Sequence, residues 1–321
     1  MRRSAPRPVS TSASEDPRVV QSSGPTLTGR PAAFAAPRWQ CRGLSLDLSR
    51  PLIMGILNVT PDSFADGGRY LDPAAALDHA LALVAEGADI IDVGGESTRP
   101  GSMAVEAQLE LARIAPVIER LAAAAPGVPI SVDTTKLEVM QAATAAGAVI
   151  VNDIRALAAP GARAWAASAG VGVCLMHMQG EPRTMQLDPR YHEVVGEVAQ
   201  FLRAARAAAL EAGIAPEAIV LDPGLGFGKR PEHNLALLKH LDHLVASLDA
   251  PILIGASRKS LIARVLGAGG PGRSPDERLF GGLGIAAWAV SRGARIVRTH
   301  DVAATRDAVR LVSAVMQGAV A

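Results

Sequence analysis

The sequence predicts one (β/α)₈ barrel with a short N-terminal hairpin and a disordered N-terminal tail. Eight short apolar runs, each long enough for a strand buried on both faces, recur between residues 52 and 300. Each run ends abruptly at a polar residue or a glycine and is followed by a stretch with helical patterning. No G-x-G-x-x-G segment opens a helix directly after one of these runs, as it usually does in an open dinucleotide-binding sheet. A closed barrel therefore fits better than an open doubly wound sheet.

Composition divides the chain into two parts. We assign residues 1–36 to a disordered extension and residues 37–321 to a catalytic barrel domain, with a hairpin over 39–48. The extension is rich in Arg, Ser, Pro and Ala and lacks the apolar core of a secretory signal. Its Arg and Ser content weakly resembles an organelle transit peptide, but Glu15 and Asp16 argue against that interpretation.

The elements of the barrel follow from start and stop signals. The first helix, 73–86, has Asp72 as its N-cap and Pro73 at its first position, and Gly87 ends it. The strands are predicted at 52–57, 88–93, 129–133, 149–152, 171–177, 219–222, 251–256 and 295–300. Further helices are predicted up to residue 125 and at 136–146, 161–169, 190–212, 232–247, 276–292 and 302–317. Active sites of such barrels lie at the C-terminal ends of the strands, so the polar residues there should meet at one mouth.

Charge and composition exclude several classes of partner. The net charge of +1, from 32 basic and 31 acidic residues, provides no field for nucleic acid or an anionic membrane, and aromatic residues make up only 3%. No apolar run reaches the roughly 20 residues of a membrane span. The two cysteines predict a reduced cytoplasmic protein without a disulfide, in which Cys174 is buried and Cys41 is incidental. The expected partners are small molecules.

Three polar residues at strand ends, Asp133, Asn152 and Asp222, are candidates for binding a flat heterocycle. Any one of them is equally well explained as an ordinary helix cap or turn residue. Together they would point inward near the barrel axis, where a ring that offers several N–H donors would satisfy the buried carboxylates.

A basic group, Arg99, Lys259, Arg298 and His300, lies at or just past other strand ends. Arg298 and His300 are two residues apart and so share a strand face, which suits phosphate or pyrophosphate oxygens. No H-x-x-x-H or C-x-x-C cluster occurs, so a firmly held zinc ion is not expected. Asn58 beside bound phosphates would instead suit Mg²⁺, which uses few protein ligands.

The segment 222–229, DPGLGFGK, has the glycines of a phosphate-binding loop but not its full pattern, because Arg230 follows Lys229. We expect its glycines to let the backbone pass close to a bound ring, with Phe227 as an apolar wall. His177, at the end of another apolar run, is expected to be a satisfied core histidine or a support for other site residues.

Eight separate segments, in family order, resemble the dihydropteroate synthases, the folate-pathway enzymes that sulfonamides target. The match runs from Pro51 to Val315 and rests on NVTPDSFADGG, GGESTRPG, SVDT, NDI, MHMQGEP, DPGLGFGK, SRKS and RTHDV. Thr299 departs from the family's more frequent Val, on the strand face away from Arg298 and His300.

The resemblance implies condensation of 7,8-dihydropterin-6-ylmethyl diphosphate with 4-aminobenzoate to 7,8-dihydropteroate and pyrophosphate, with Mg²⁺, in a homodimer. It assigns the pterin to Asp133, Asn152, Asp222 and Lys259, the diphosphate to Asn58, Arg99, Arg298 and His300, and the aminobenzoate to Phe64, Thr98, Pro100, Phe227 and Ser260. Asn58 is also the implied Mg²⁺ ligand. Lys259, Arg298 and His300 are taken as catalytic, and Asp66 is added as a candidate stabiliser of a pterin cation. Apolar residues at 283–290 fit a self-interface.

Two alternatives remain open at this point. A pterin-binding methyltransferase on the same barrel would share the acidic and amide residues but would not need the basic group around a diphosphate. A non-catalytic paralogue that binds pterin would be expected to have lost some of these residues, and none is missing from the sequence.

Overall fold

The computed structural model describes Met1 and residues 37–60, 72–98, 101–267 and 272–318. Residues 36–321 form one compact unit. The predicted disordered extension lies, apart from Met1, outside the described residues, so its disorder and the domain boundary stay predictions. Among the described residues, no helix has the length and apolar character needed to cross a membrane.

The predicted hairpin is confirmed and closes one end of the barrel. Strands β1 (Arg38–Cys41) and β2 (Leu44–Asp47) pair antiparallel. The side chain of Trp39 is fully buried, and its Nε1 donates to the carbonyl oxygen of Ala218, 2.9 Å away. Cys41 and Leu48 pack beside it against residues that begin the barrel strands. The hairpin therefore covers the N-terminal end of the barrel and leaves the opposite end open.

Eight parallel strands form the barrel, as predicted. They are β3 (Leu52–Asn58), β4 (Ile90–Gly94), β5 (Ile130–Asp133), β6 (Ile150–Asp153), β7 (Gly172–Met176), β8 (Ile219–Asp222), β9 (Leu253–Gly255) and β10 (Ile296–Thr299). Neighbours in sequence pair with each other from β3 to β8 and from β9 to β10, and β10 pairs with β3. A parallel bridge between Leu221 and Ile252 joins β8 to β9 and closes the ring.

Helices surround the ring. They are α1 (Pro73–Ala85), α2 (Ala107–Ala124), α3 (Leu137–Ala145), α4 (Ala162–Ala169), α5 (Val194–Glu211), α6 (Pro231–Lys239), α7 (Leu241–Ser247), α8 (Ser260–Leu266), α9 (Leu279–Ser291) and α10 (Val302–Gln317). The N-cap prediction for α1 is confirmed, because the side chain of Asp72 accepts a hydrogen bond from the backbone N–H of Ala74.

Strict alternation along the strands decides which side chains enter the barrel. On β10, Ile296 belongs to the cluster inside the barrel and Val297 to the layer beneath the helices. Arg298 is therefore directed inward and Thr299 outward, where its hydroxyl lies 3.0 Å from that of Thr305 on α10. The prediction that Thr299 faces away from the site side of β10 is confirmed.

Four details differ from the sequence predictions. Helix α8 was not predicted, because seven residues carry too short a periodic pattern. The predicted helix 232–247 is two helices that meet at His240, and α5 begins at Val194 rather than at residue 190. Cys41 is not incidental but fully buried; like Cys174 it is a free thiol, and burial raises the pKa of both.

Candidate active site

A cavity of about 330 Å³ opens at the C-terminal ends of the barrel strands. Eight of the residues selected from the sequence line it together: Asn58, Thr98, Asp133, Phe227, Lys259, Ser260, Arg298 and His300. They come from six different strand ends or the loops just after them, so the predicted convergence at one mouth is confirmed for these residues.

Arg298 lies at the centre of an ion-pair network inside the barrel. Its Nε donates to Asp92 Oδ2 at 2.6 Å, and its Nη2 donates to Asp133 Oδ2 at 2.7 Å. To make these bonds the side chain passes β3 and reaches β4 and β5. Although burial opposes the charge, the Asp92 and Asp133 carboxylates raise the pKa of Arg298 further above its ordinary value. The guanidinium is therefore a fixed cation at the floor of the cavity.

Two carboxylates share this single guanidinium, which affects their charge. Burial raises the pKa of Asp133 to about 7; the charge of Arg298 opposes that rise, and the neighbouring Asp92 carboxylate adds to it. Asp133 is thus placed to change its ionisation near neutral pH, at the edge of the cavity.

Asn152 and Asp222 are nearly fully buried and do not line the cavity as it stands in this structure. Asn152 Nδ2 donates to Asp92 Oδ2 at 3.0 Å, so the predicted amide belongs to the same network as Arg298. Asp222 Oδ1 accepts from the backbone N–H of Gly224 at 2.7 Å. Burial raises the pKa of the Asp222 carboxyl, and the charge of Lys259 opposes that rise.

Lys259 is held against the loop that follows β8. Its Nζ donates to the carbonyl oxygen of Leu225 and lies 4.6 Å from the centroid of the Phe227 ring, a cation–π arrangement. Burial lowers the pKa of Lys259 to about 8, although the Asp222 carboxylate opposes that shift.

Two glycines of this loop are needed because other parts of the backbone lie against them. Gly224 and Gly228 both have positive φ, and a Cβ on them would lie 1.9 Å and 2.2 Å from the backbone oxygens of His177 and Gln179. The expectation that the glycines make room for a bound ring is therefore wrong for these two positions. His177 is buried, with its Nδ1 2.9 Å from Lys229 Nζ, which confirms the prediction of a satisfied histidine.

His300 is oriented by its neighbours at the ends of β9 and β10. Ser257 Oγ lies 3.1 Å from His300 Nδ1, accepts from the backbone N–H of His300 at 3.2 Å and reaches Asp301 Oδ2 at 3.5 Å. If the hydroxyl proton points to Asp301, the histidine must carry a proton on Nδ1, and Nε2 then faces Asn58 Nδ2 at 3.5 Å. A second proton on Nε2 would allow the ring to donate to an anion in the cavity.

The loop after β4 is fastened by a lysine between two glutamates. Lys136 Nζ lies 2.5 Å from Glu96 Oε2 and 2.6 Å from Glu110 Oε2, and Glu110 on α2 is fully buried. Glu96 Oε1 also accepts from the backbone N–H of Val105 at 3.0 Å. These contacts tie both ends of the loop that carries Thr98 to the barrel wall.

Four predicted site residues cannot be placed. Phe64, Asp66, Arg99 and Pro100 lie outside the described residues, so their assigned roles stay predictions.

Sequence reasoning missed Asp92, Ser257 and Glu96. Asp92 could have been found, because it alternates with Ile90, a core residue inside the barrel, and therefore points to the same axis as Arg298. Ser257 and Glu96 sit in loops, where no periodicity reveals direction.

The donor set around Asn58 suits a magnesium ion but not a metal that needs several protein ligands. Within the described ranges, no group of three or more His, Cys, Asp or Glu side chains could hold a metal ion. Asn58 offers one amide oxygen at the cavity, beside cationic groups that suit phosphate oxygens. Mg²⁺ typically takes one or two protein oxygens and completes its shell with phosphate oxygens and water, so these residues fit an ion that arrives with a diphosphate.

Fold and site together define a barrel enzyme whose cavity combines buried carboxylates with a cationic wall. Residues 54–300 match the family model described as pterin binding enzyme. The chain is 49% identical over 278 residues to the dihydropteroate synthase of Neisseria meningitidis serogroup B, covering 85% of this chain and 95% of that one. The chain belongs to the pterin-binding enzymes and, among them, to the dihydropteroate synthase family.

Solved structures agree with this assignment. The Xanthomonas albilineans dihydropteroate synthase with 4-aminobenzoic acid has a TM-score of 0.81 and 48% identity, covering 88% of this chain and 98% of that one. The same enzyme in complex with 7,8-dihydropteroate gives 0.78 and 46%, with 87% and 99% covered. The methyltransferase and non-catalytic alternatives are therefore not favoured.

Proposed function

We propose that this chain is a transferase that condenses 7,8-dihydropterin-6-ylmethyl diphosphate with 4-aminobenzoate, giving 7,8-dihydropteroate and pyrophosphate in folate synthesis. The observation that carries the proposal is one cavity with Asp133 on its wall and Arg298, His300 and Asn58 at its floor and side. A pterin ring needs hydrogen-bond acceptors for its N–H groups, and a diphosphate needs fixed cations. Both are supplied within one space.

The pterin is assigned to Asp133, Asn152, Asp222 and Lys259. Asp133 already faces the cavity, whereas Asn152 and Asp222 are buried next to it and would be reached once a ring displaces the present contacts. Lys259 would exchange its bond to the Leu225 carbonyl for an acceptor on the ligand.

The diphosphate is assigned to Asn58, Arg99, Arg298 and His300. Departure of the diphosphate breaks the bond to the pterin methylene carbon, and the electron-rich ring stabilises the resulting cation. Donors fixed before the reaction stabilise the charge that grows on the leaving oxygen. Mg²⁺, held by Asn58, would neutralise part of the diphosphate charge when bound.

The neutral amine of 4-aminobenzoate then bonds to the methylene carbon and loses a proton. An arylamine is nucleophilic without a base, so the site needs positioning and exclusion of water more than proton abstraction. Thr98, Phe227 and Ser260, which line the cavity, are assigned to the aminobenzoate together with Phe64 and Pro100. Sulfonamides, which resemble 4-aminobenzoate, are proposed to occupy the same place. Asp66 is proposed to stabilise the pterin cation.

The test is pyrophosphate release by the purified chain with the pterin diphosphate, with and without 4-aminobenzoate and Mg²⁺. Release that depends on both additions supports the proposal.

The Arg298→Ala and His300→Ala variants should remain folded and lose both affinity for the pterin diphosphate and turnover. Arg206→Ala, which removes an ion pair to Asp249, is the matched control and should behave as the wild type. Pterin binding without release would mean a pterin-binding protein of another activity.

A homodimer is proposed through an apolar groove between α6, α8 and α9. Large apolar side chains from all three helices are partly exposed there: Leu235, Val265, Leu266 and Trp288. A continuous apolar patch of this kind is unusual on a monomer. Sedimentation should show a dimer for the wild type and for Leu109→Glu, an exposed position on α2, but a monomer for Val265→Glu.

A cytoplasmic location is also proposed. The two free, buried thiols fit it, because thiols stay reduced in that compartment.

A further inference from the structure

Five consecutive backbone carbonyls after β8, those of residues 224–228, each accept a hydrogen bond from a side chain. The donors are Lys229 to Gly224 and Phe227, Lys259 to Leu225, Gln186 to Gly226, and Tyr191 to Gly228. We call residues 224–228 the carbonyl loop. Lys229 is the donor that binds it at two points, which lie at 2.9 Å and 3.0 Å from its Nζ.

Lys229 also ties the carbonyl loop to the end of β7. Its Nζ lies 2.9 Å from His177 Nδ1 and 3.3 Å from the His177 carbonyl oxygen, and the residue is only 2% exposed. Burial lowers the pKa of His177 to about 3, and the Lys229 charge adds to the effect, so the neutral ring can accept a hydrogen bond. Burial also lowers the pKa of Lys229 to about 7, although Asp222 opposes this. The four acceptors around the amine offset the cost of burying it, and the geometry of this loop supplies them.

The opposite side of the carbonyl loop faces the cavity. Gly226 and Phe227 line it, and Lys259 bonds to the Leu225 carbonyl and sits over the Phe227 ring. Lys229 itself is absent from the cavity lining. Lys229 therefore reaches the cavity through the contacts of the loop, while its charge also acts on the buried Asp222 carboxyl.

We propose that Lys229 is a positioning residue for pterin binding, which holds the carbonyl loop against β7 so that Phe227 and the Leu225 carbonyl keep Lys259 in place for the incoming pterin. The inference rests on the proposed function, because Lys259 is assigned there to the pterin. Without the ammonium, the Phe227 carbonyl loses its side-chain donor and the Gly224 carbonyl keeps the backbone N–H of Phe227, so the loop can relax toward the cavity.

The test replaces Lys229 by methionine, which keeps length and apolar volume but removes the donor. Binding of the pterin diphosphate with Mg²⁺ is measured by titration calorimetry. We expect the Kd to rise about tenfold or more, since small misplacements of a binding group are costly. Arg42→Met is the matched control, because Arg42 also donates to a backbone carbonyl, that of Thr144, but near the hairpin. Its pterin Kd should stay within about twofold of the wild type.

A double-mutant cycle separates positioning from general stability. Tyr191→Phe removes the donor to Gly228 at the far end of the carbonyl loop. If Lys229 acts through this loop, the losses of pterin affinity in Lys229→Met and Tyr191→Phe are not additive. Additive losses, or an unchanged Kd in Lys229→Met, would overturn the proposal. If Lys229→Met does not fold, Lys229→Gln, which keeps a two-hydrogen donor, decides the question by the same cycle. A wild type that fails to bind pterin would overturn the proposed function itself, and this inference with it.

Discussion

Arg298 on β10 and Asp92 on β4 form a 2.6 Å ion pair inside the barrel, across the intervening strand β3. Asp92 is fully buried, and its Oδ2 also accepts from Asn152. Its Oδ1 has no hydrogen-bond partner among the described residues. The pair sets the position of the cation to which the diphosphate is assigned and of the amide to which the pterin is assigned.

We predict that Asp92→Asn lowers pterin diphosphate affinity by about tenfold and the free energy of unfolding by about 1–3 kcal/mol. Arg298 keeps Asp133 as a partner, so the loss is smaller than for a buried charge left without any. Calorimetry and denaturant unfolding measure the two effects. Asp89→Asn, which breaks a partly exposed pair with Arg50 at the other end of β4, is the control. Equal effects in both variants would contradict the prediction.

The second prediction concerns pH. Burial raises the pKa of Asp133 to about 7, so this carboxyl is protonated below neutrality and ionised above it. Only the ionised form accepts hydrogen bonds from ring N–H groups with both oxygens. The affinity for a dihydropterin that lacks the diphosphate should therefore rise from pH 6 to pH 8, by up to about tenfold per pH unit below the pKa, and level off above it. Omitting the diphosphate removes its own titration from the measurement.

The matched variant for this pH effect is Asp133→Asn, which cannot ionise. Its affinity should be lower at pH 8 and should not change with pH across the same interval. A wild-type affinity that stays constant from pH 6 to pH 8 would contradict the prediction.

The third prediction concerns the loop after β4. Glu96→Gln keeps an acceptor for the Val105 N–H but loses the ion pair that joins the loop to Lys136. Because the loop carries Thr98, the KM for 4-aminobenzoate should rise several-fold, and the pterin Kd should change by less than about twofold. Glu193→Gln, at the N-cap of α5, is the control and should leave both constants unchanged. A pterin Kd that rises as much as the KM would show that the charge acts on the whole cavity.

The barrel could be predicted almost completely, because short patterns within each segment of the sequence determine its strands. Each strand is an apolar run, and alternation alone sends Asn58, Asp133, Asn152, Asp222 and Arg298 inward. What these side chains contact could not be predicted, because an ion pair across the barrel depends on strand order and register together.

The contacts that hold the loop after β4 were even harder to predict from the sequence. Lys136 lies 40 residues from Glu96 and 26 from Glu110, and packing of α2 and α3, rather than any sequence pattern, brings the three together. Helix α8 was missed for a related reason, since its seven residues are too few for a stable helix alone and pack against α6 and α9.

The last prediction is that Ser257→Ala weakens binding of the pterin diphosphate by about fivefold, the loss expected from one hydrogen bond of about 1 kcal/mol. Ser257 Oγ lies within 3.1 Å of His300 Nδ1 and 3.2 Å of the His300 backbone nitrogen, so its loss releases the ring from the orientation that faces the cavity. Because His300 is assigned to the diphosphate, affinity for a dihydropterin without that group should not change. Ser257→Thr retains the hydroxyl and should restore most of the binding. Ser247→Ala on α7 is the control, since that hydroxyl donates to the carbonyl oxygen of Leu244, within its own helix. Equal losses for both ligands in Ser257→Ala would mean that the serine supports the whole site rather than the histidine.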